Sequence, residues 1–373
     1  MKRHSTPNHG GAVWRLQEGQ DSRSIGPAQA VALNRLQRRR SRFLAARVVR
    51  QFESWARDRG DLVDIGISET AYILGSDAVS VEELEAREML DTPAARLREF
   101  GFSCARLSSV PSHVLATAAA NKLLKTSGID AANVDAIFYA GATPQSHTVG
   151  TDDPSSAFNY PVAQLQYELD LTRATAFGIS QVGCLGMMAS VALARDYLCA
   201  HEDASRVLCV SSDVLPAGCK REMIYNVISD GACAALVEKN CARNRICANR
   251  RITKGYYWDS IARKNEIAAA YFPTARTIIR DAIADAHINS SDIACILPHN
   301  VSLRSWEILL GLLQIDRERL FADNIGRIAH VIAADNWINL KDATDAGRLQ
   351  PGDKLLLFTF GFGANWACMV LEH

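Results

Sequence analysis

The residues most able to do chemistry stand at four places along the chain. The first is Gly183-Cys184-Leu185-Gly186, where an apolar stretch runs into a glycine-flanked turn and a long apolar segment follows. A strand–turn–helix at this point would do three things for a thiol. It would expose the sulfur at the end of a strand. It would set the sulfur at the positive end of a helix dipole, which favours the thiolate. It would also leave backbone N–H groups beside the sulfur, free to hold an oxyanion. A thiolate in that setting is a nucleophile for acyl transfer. The same four residues equally suit a buried structural cysteine at a helix start, since most free cysteines are small buried apolar residues.

The second place is Leu297-Pro298-His299-Asn300, a histidine just past an apolar run. Sites of α/β folds gather at the carboxyl ends of strands, where this histidine would stand. The third is His330, at the end of Asn324-Ile325-Gly326-Arg327-Ile328-Ala329-His330 and just before a helical run. Either histidine, taken alone, is also consistent with a loop residue whose hydrogen bonds are satisfied. The fourth is Phe360-Gly361-Phe362-Gly363-Ala364 near the C-terminus, whose glycines permit positive φ and close backbone approach. By itself it is a tight hairpin.

The elements that must position these groups follow from hydrophobic periodicity. Apolar runs predict strands at 61–73, 134–139, 174–180, 206–212, 232–238, 293–297, 354–360 and 366–371, the last two forming a hairpin. Helices are predicted over 111–126, 160–169, 186–201, 266–286, 303–313 and 333–346. Strands alternating with helices define an α/β layered fold. The two parts of the chain share one rhythm, which suggests an internal duplication with halves at 61–245 and 246–373.

Before residue 61 the texture differs. Residues 1–60 hold 13 Lys and Arg against 4 Asp and Glu, and the rest of the chain is correspondingly acidic. Residues 1–28 have the composition of a disordered tail, and 29–58 have helical spacing. No apolar h-region marks a secretory signal. A net charge of +0 over 373 residues gives no whole-chain attraction to nucleic acid or an anionic membrane. The apolar runs are too short to cross a bilayer. Ten cysteines without a CxxC pair argue against a zinc ribbon, a redox dithiol or a disulfide framework. They suit a reducing compartment, so the cytoplasm is expected.

Taken in order, these motifs resemble the ketoacyl synthase III group of condensing enzymes, over about residues 61–373. Cys184 matches the family's acylated cysteine in a Cys-x-Gly segment. Ser229-Asp230-Gly231-Ala232 matches its Gly-Asp-Gly-Ala turn, and Pro298-His299 its Pro-His. Phe360-Gly361-Phe362-Gly363, with Trp366 after it, matches its Phe-Gly-x-Gly and nearby Trp. The resemblance implies a thiolase-like five-layered αβαβα fold of two duplicated halves. It implies catalytic Cys184, His299 and His330, with His330 standing where the family has Asn. Asn336 competes for that place only through a six-residue slip. Backbone N–H groups of Cys184 and Phe362 would form the oxyanion hole. Tyr160, which opens a helix with Pro161 as a Phe-Pro pair does in the family, would reach the acyl pocket of a dimer mate. Gly363 and Arg106 complete the expected substrate contacts, Arg106 as a candidate for holding coenzyme A.

The resemblance further implies no metal and no bound cofactor, the acyl group arriving on coenzyme A or on the phosphopantetheine of an acyl carrier protein. Partners would be that thioester and a second subunit, in a homodimer or a heterodimer with a paralogue. Condensation with a malonyl-type acceptor in specialised, polyketide-like metabolism is expected. Transfer to a hydroxyl or amine without decarboxylation is the first alternative, and an idle subunit of a heteromeric synthase the second. A chain-cleaving thiolase fits less well, because Cys368 lies beyond the glycine turn. The stretch 238–256, short for the family, is expected to help shape an acyl tunnel.

Overall fold

A computed structural model describes residues 63–143, 160–224 and 226–373. The basic extension 1–60, its expected helix, and nearly all of the polar loop before Tyr160 lie outside the described residues. The strands are β1 (Ile65–Leu74), β2 (Asp77–Ser80), β3 (Cys104–Leu107), β4 (Ala136–Ala140), β5 (Thr175–Ile179), β6 (Arg206–Asp213) and β7 (Glu222–Met223). They continue with β8 (Asn226–Val227), β9 (Gly231–Lys239), β10 (Arg245–Thr253), β11 (Ile293–Leu297), β12 (Lys354–Gly361) and β13 (Asn365–Glu372). The helices are α1 (Val81–Ala86), α2 (Ala94–Glu99), α3 (Ser112–Ser127), α4 (Pro161–Glu168) and α5 (Gly186–Ala200). They continue with α6 (Lys264–Asp285), α7 (Leu303–Leu313), α8 (Asp323–Ile328) and α9 (Asp335–Asp345).

Nine strands form one mixed sheet in the order β11-β12-β13-β10-β1-β9-β6-β4-β5. β4 pairs in parallel with β5 and β6, and β11 in parallel with β12; the pairs between them are antiparallel. The seam is thin, for β1 and β10 meet at the single pair Gly66↔Arg245. Sequence periodicity missed β10 because Arg245, Arg250 and Arg251 interrupt its alternation. Those charges are accommodated locally: Arg250 pairs with Asp285 of α6 and Arg245 with Glu372 of β13.

Three hydrophobic clusters order the layers. One packs α3 and α4 against β1, β4, β6 and β9, through Leu115, Leu123, Leu165, Ile137 and Leu236. A second packs α6 and α7 against β11, β12 and β13, through Ile278, Leu309, Ile296 and Phe358. The third lies in the middle and joins inner-face residues of both ends of the sheet, such as Cys209, Val237, Leu357 and Met369, to α5 and α9. The order helix, sheet, helix, sheet, helix is the five-layered αβαβα arrangement.

The two central helices are unlike the outer ones. α5 is buried throughout its first half, from Gly186 to Ala192, as a segment enclosed by the core must be, while Leu193, Asp196 and Cys199 of its second half are exposed. α9 buries polar residues too: Asp335, Asn336 and Asn339 as well as Trp337, Ile338 and Leu340. A buried polar side chain is costly without partners. Asn336 donates to the carbonyls of Leu297 and Phe358, and Asn339 donates to Pro298 O and Asn300 Oδ1. These bonds tie α9 to the strand ends that carry the second and fourth motifs. No helix among the described residues is long and apolar enough to cross a membrane.

Candidate active site

β5 leads through Gln181 (φ 65°) and Gly183 (φ 56°) into a short 3-10 turn, Gly183–Leu185, and α5 begins at Gly186. Cys184 is therefore half-buried at the head of a central helix. The turn lies against the β12–β13 hairpin with almost no clearance. A Cβ built on Gly183 would stand 2.9 Å from Phe362 N, and one on Gly361 would stand 2.7 Å from Cys184 N. Glycine is required at both positions because two backbones, carrying the N–H groups of Cys184 and Phe362, approach each other there.

His299 follows β11 and is 3% exposed. Its carbonyl accepts from the Trp306 indole at 2.8 Å, which fixes the backbone. Neither ring nitrogen has a hydrogen-bond partner among the described residues. Burial, and then the neighbouring His330, push its pKa well below the usual histidine value, so the ring is neutral.

His330 is placed by the Ser229-Asp230 turn. Its N–H donates to Val227 O at 2.9 Å, and its carbonyl accepts from Ser229 N at 2.8 Å. Ser229 Oγ donates to Ile328 O. Asp230 anchors that turn through a buried ion pair with Arg221 and accepts from the N–H groups of Ser108 and Leu215. The backbone around His330 is strained: Ala329 has φ 52° and ψ −149°, and Ile332 has φ 52°. Such conformations cost on the order of 1–3 kcal/mol and persist only where the surroundings impose them.

The structure brings the three expected side chains together. The Sγ of Cys184 and a ring nitrogen of each histidine all lie within 4.8 Å of one another. Cys184 Sγ is 3.5 Å from His330 Nε2. The two imidazole rings stand nearly perpendicular, their centroids 4.4 Å apart. A fourth residue joins them that sequence reasoning missed. Asp335, fully buried as the first residue of α9, accepts from His330 Nδ1 through Oδ2 at 2.6 Å. The same oxygen accepts from Asn300 N at 2.7 Å, and Oδ1 accepts from Val331 N. Burial opposes charge on His330, but the Asp335 carboxylate and the Cys184 sulfur outweigh it and raise the imidazole to about 10. The one sequence signal for Asp335 was a carboxylate opening the helix that starts just after His330. Only the fold reveals that it faces back toward the histidine.

The other expected residues lie outside this cluster. Arg106 sits in β3, where its guanidinium donates to the carbonyls of Gly75 and Ser76, away from the cavity at Cys184. Tyr160, expected to reach a second subunit's pocket, is exposed at the head of α4 and does not line its own chain's cavity; Gly363 donates its N–H to Ser260 Oγ and does not line it either. Asn336 donates to the carbonyls of Leu297 and Phe358, whereas His330 is the residue whose ring contacts the Cys184 sulfur. Cys368 is buried within β13. Most of the stretch 238–256 forms β10 inside the sheet, and none of its residues lines this cavity.

Cys184, His299, His330 and Phe362 open on a cavity of about 360 Å³. Its walls are largely apolar, with Phe100, Ile224, Ile267, Phe272, Val301 and Phe360 among them. Lys264, Ser302 and Arg304 add polar groups. A chamber of this kind accepts an apolar group and leads it to a sulfur.

Comparison with known proteins agrees. Residues 283–373 match the family described as 3-oxoacyl-[acyl-carrier-protein (ACP)] synthase III C terminal. Beta-ketoacyl-[acyl-carrier-protein] synthase III of Aquifex aeolicus is 24% identical over 270 residues, which span 69% of this chain and 83% of that protein. The crystal structure of the 3-oxoacyl-[acyl-carrier-protein] synthase III of the same organism superposes with a TM-score of 0.72 at 21% identity, covering 83% of this chain and 100% of that one. A second structure, of the acyltransferase ChlB3, gives a TM-score of 0.73 at 20% identity, covering 83% and 97% of the two chains. The architecture is therefore the thiolase fold, and the chain is an acyl-transferring enzyme similar to the ketoacyl synthases III.

Proposed function

We propose that this enzyme takes an acyl group from a coenzyme A or carrier-protein thioester onto Cys184, then passes it to a hydroxyl or amine with His330 as the base. The observation that carries this reading is the line Cys184 Sγ, His330, Asp335, with spacings of 3.5 and 2.6 Å. It has the order nucleophile, base, orienting carboxylate. In the first half-reaction the sulfur attacks the thioester carbonyl. The backbone N–H groups of Cys184 and Phe362, whose chains approach each other at Gly183 and Gly361, would hold the tetrahedral oxygen. The leaving thiolate takes the proton from His330. Acylation also removes the sulfur's charge, one of the two that held that proton. Neutral His330, oriented by Asp335, then accepts the proton of the incoming hydroxyl or amine as that group attacks the acyl carbon, and the thiolate of Cys184 leaves.

Decarboxylative condensation with a malonyl-type thioester is the second reading. It is favoured by His299, a neutral ring with unpartnered nitrogens, which suits an enolate oxygen. Against it, the Asp335 carboxylate lies 3.8 Å from His299 Nε2, where added negative charge would be disfavoured. The apolar cavity supports a hydrophobic acyl group. A homodimer, a reducing compartment and a role in a specialised pathway complete the proposal; all ten cysteines are free, which suits such a compartment.

The test has two stages. Intact-mass measurement after incubation with short acyl thioesters should show one adduct, on Cys184. Discharge of that adduct is then compared with hydroxyl, amine and malonyl-thioester acceptors while carbon dioxide is measured. Discharge by a hydroxyl or amine without carbon dioxide supports the proposal. Discharge only with stoichiometric carbon dioxide replaces it with condensation.

A further inference from the structure

The arrangement that makes Cys184 reactive also makes it a ligand set. Placing a second histidine beside the cysteine gives three soft or borderline donors, one sulfur and two imidazole nitrogens, mutually within 4.8 Å. Tetrahedral zinc with Zn–S of about 2.3 Å and Zn–N of about 2.0–2.1 Å places its ligand atoms roughly 3.3–3.6 Å apart. The pair Cys184 Sγ and His330 Nε2, at 3.5 Å, already has that spacing. His299 must come closer than the 4.8 Å bound to complete the set, and no hydrogen bond among the described residues ties its ring nitrogens elsewhere. It is 3% exposed, lines the cavity, and neither nitrogen has a hydrogen-bond partner among the described residues. A buried imidazole that lines the chamber with both nitrogens unpartnered has donors available to coordinate.

The surroundings match a metal site as well. His330 Nδ1 is hydrogen-bonded to Asp335 Oδ2 at 2.6 Å, the carboxylate–histidine pairing that orients metal-bound histidines and raises their basicity. Zinc would displace the proton that His330 Nε2 shares with the sulfur, and the thiolate and the Asp335 carboxylate would then balance the divalent ion in an apolar enclosure. The fourth coordination position would face the cavity, the open geometry of a three-ligand zinc site. The ligands come from three distant segments, so no cysteine or histidine spacing in the sequence could announce them.

The geometry points to a reversible zinc(II) site formed by Cys184, His299 and His330, in which the metal masks the nucleophile and competes with acylation. Its consequence for turnover rests on the acyl-transfer reading above, whereas binding itself does not. Zinc holds the sulfur lone pair that must attack the thioester, so metal-bound and acylated Cys184 exclude each other. No bond is made or broken in the substrate, and a chelator restores the free thiolate.

The experiment uses the full chain, stripped with a chelator and titrated with cobalt(II) as a spectroscopic probe and with zinc(II) by calorimetry. One ion should bind per chain, with the thiolate-to-cobalt charge-transfer band and tetrahedral visible bands. Cys184→Ala should abolish the band, and His299→Gln should weaken binding more than tenfold. Asp335→Asn should lower affinity by about 10–100-fold, as for other outer partners of metal ligands. Protein acylated beforehand on Cys184 should not bind. Circular dichroism checks each variant's fold, and His299→Gln stands in if Cys184→Ala misfolds. Absence of stoichiometric binding, or a charge-transfer band that survives in Cys184→Ala, overturns the inference. So does acyl transfer that continues unchanged with one zinc bound. Should no thioester acylate Cys184 while the cobalt signature still needs all three side chains, acyl transfer fails and the metal site stands.

Discussion

A single carboxylate decides how the two histidines differ. His299 and His330 are both buried, yet one is held neutral and the other protonated, because Asp335 touches His330 at 2.6 Å and reaches His299 only at 3.8 Å. Two titratable groups pushed apart by their surroundings mark a division of labour between proton transfer and neutral hydrogen bonding. His330→Ala removes the cation beside the sulfur, so alkylation of Cys184 by iodoacetamide at pH 6.5 should slow at least about tenfold; an unchanged rate would break the pairing of Cys184 with His330. Asp335→Asn keeps the shape but loses the charge. Discharge of the acyl enzyme to a hydroxyl or amine should fall by about 10²-fold or more, the usual worth of a positioned base. Single-turnover kinetics separate this from acylation, which should change less.

At the scale of elements, the site is an encounter of helix starts and strand ends. α5 presents Cys184, β11 presents His299, and the turn before α9 presents His330 and Asp335. The β12–β13 hairpin closes over Cys184. Gly361 is needed for that closure, since a side chain there would strike Cys184 N and Val182 O at 2.7 Å. Gly361→Ala should slow acylation by about 10²–10³-fold, comparable to losing one oxyanion donor, with the fold retained by circular dichroism. Ala329 offers the opposite test. Its φ of 52° with ψ of −149° is a conformation nearly confined to glycine, so Ala329→Gly should stabilise the protein by about 1 kcal/mol in denaturant melts. A loss of stability would mean that the backbone beside His330 is not strained.

The buried histidines also set how the whole molecule responds to pH. His299 is neutral in the folded state, its pKa well below the usual value, so below about pH 6.5 the unfolded chain takes up a proton that the folded chain refuses. Its contribution is complete above pH 6.5 and diminishes as pH falls. His330, raised to about 10, works in the other direction. Its contribution is complete below about pH 6.5 and is lost as pH rises through 10. Thermal melts from pH 5 to 10 should thus show decline on both sides. His299→Gln should flatten the acid side and His330→Gln the alkaline side. Variants that leave both slopes unaltered would show that the rings do not titrate as described.

Much of this was legible along the chain. Hydrophobic periodicity located helices and strands such as α3, α5, β11, α7, β12 and β13, because each has one dominant pattern. The glycine-flanked Cys184 and the Pro-His pair were visible as local chemistry at strand ends. β10 was not legible, because Arg245 and Arg250 find their carboxylate partners, among them Glu372 and Asp285, in distant segments. Arg106 looked available because sequence shows charge but not the Gly75 and Ser76 carbonyls that occupy it. Asp335 was hidden for the same reason, since a carboxylate at a helix start ordinarily caps that helix or faces water.

Sequence by itself determined the elements, their alternation and the reactive residue types, since these depend on interactions among near neighbours in the chain. Tertiary structure alone decided which histidine touches the sulfur, which carboxylate charges it, and that two backbones meet at Gly183 and Gly361. Those outcomes depend on separations of a few ångströms between segments over a hundred residues apart, as between Cys184 and His330. Electrostatic and packing energies change steeply over such distances, and no local pattern encodes them.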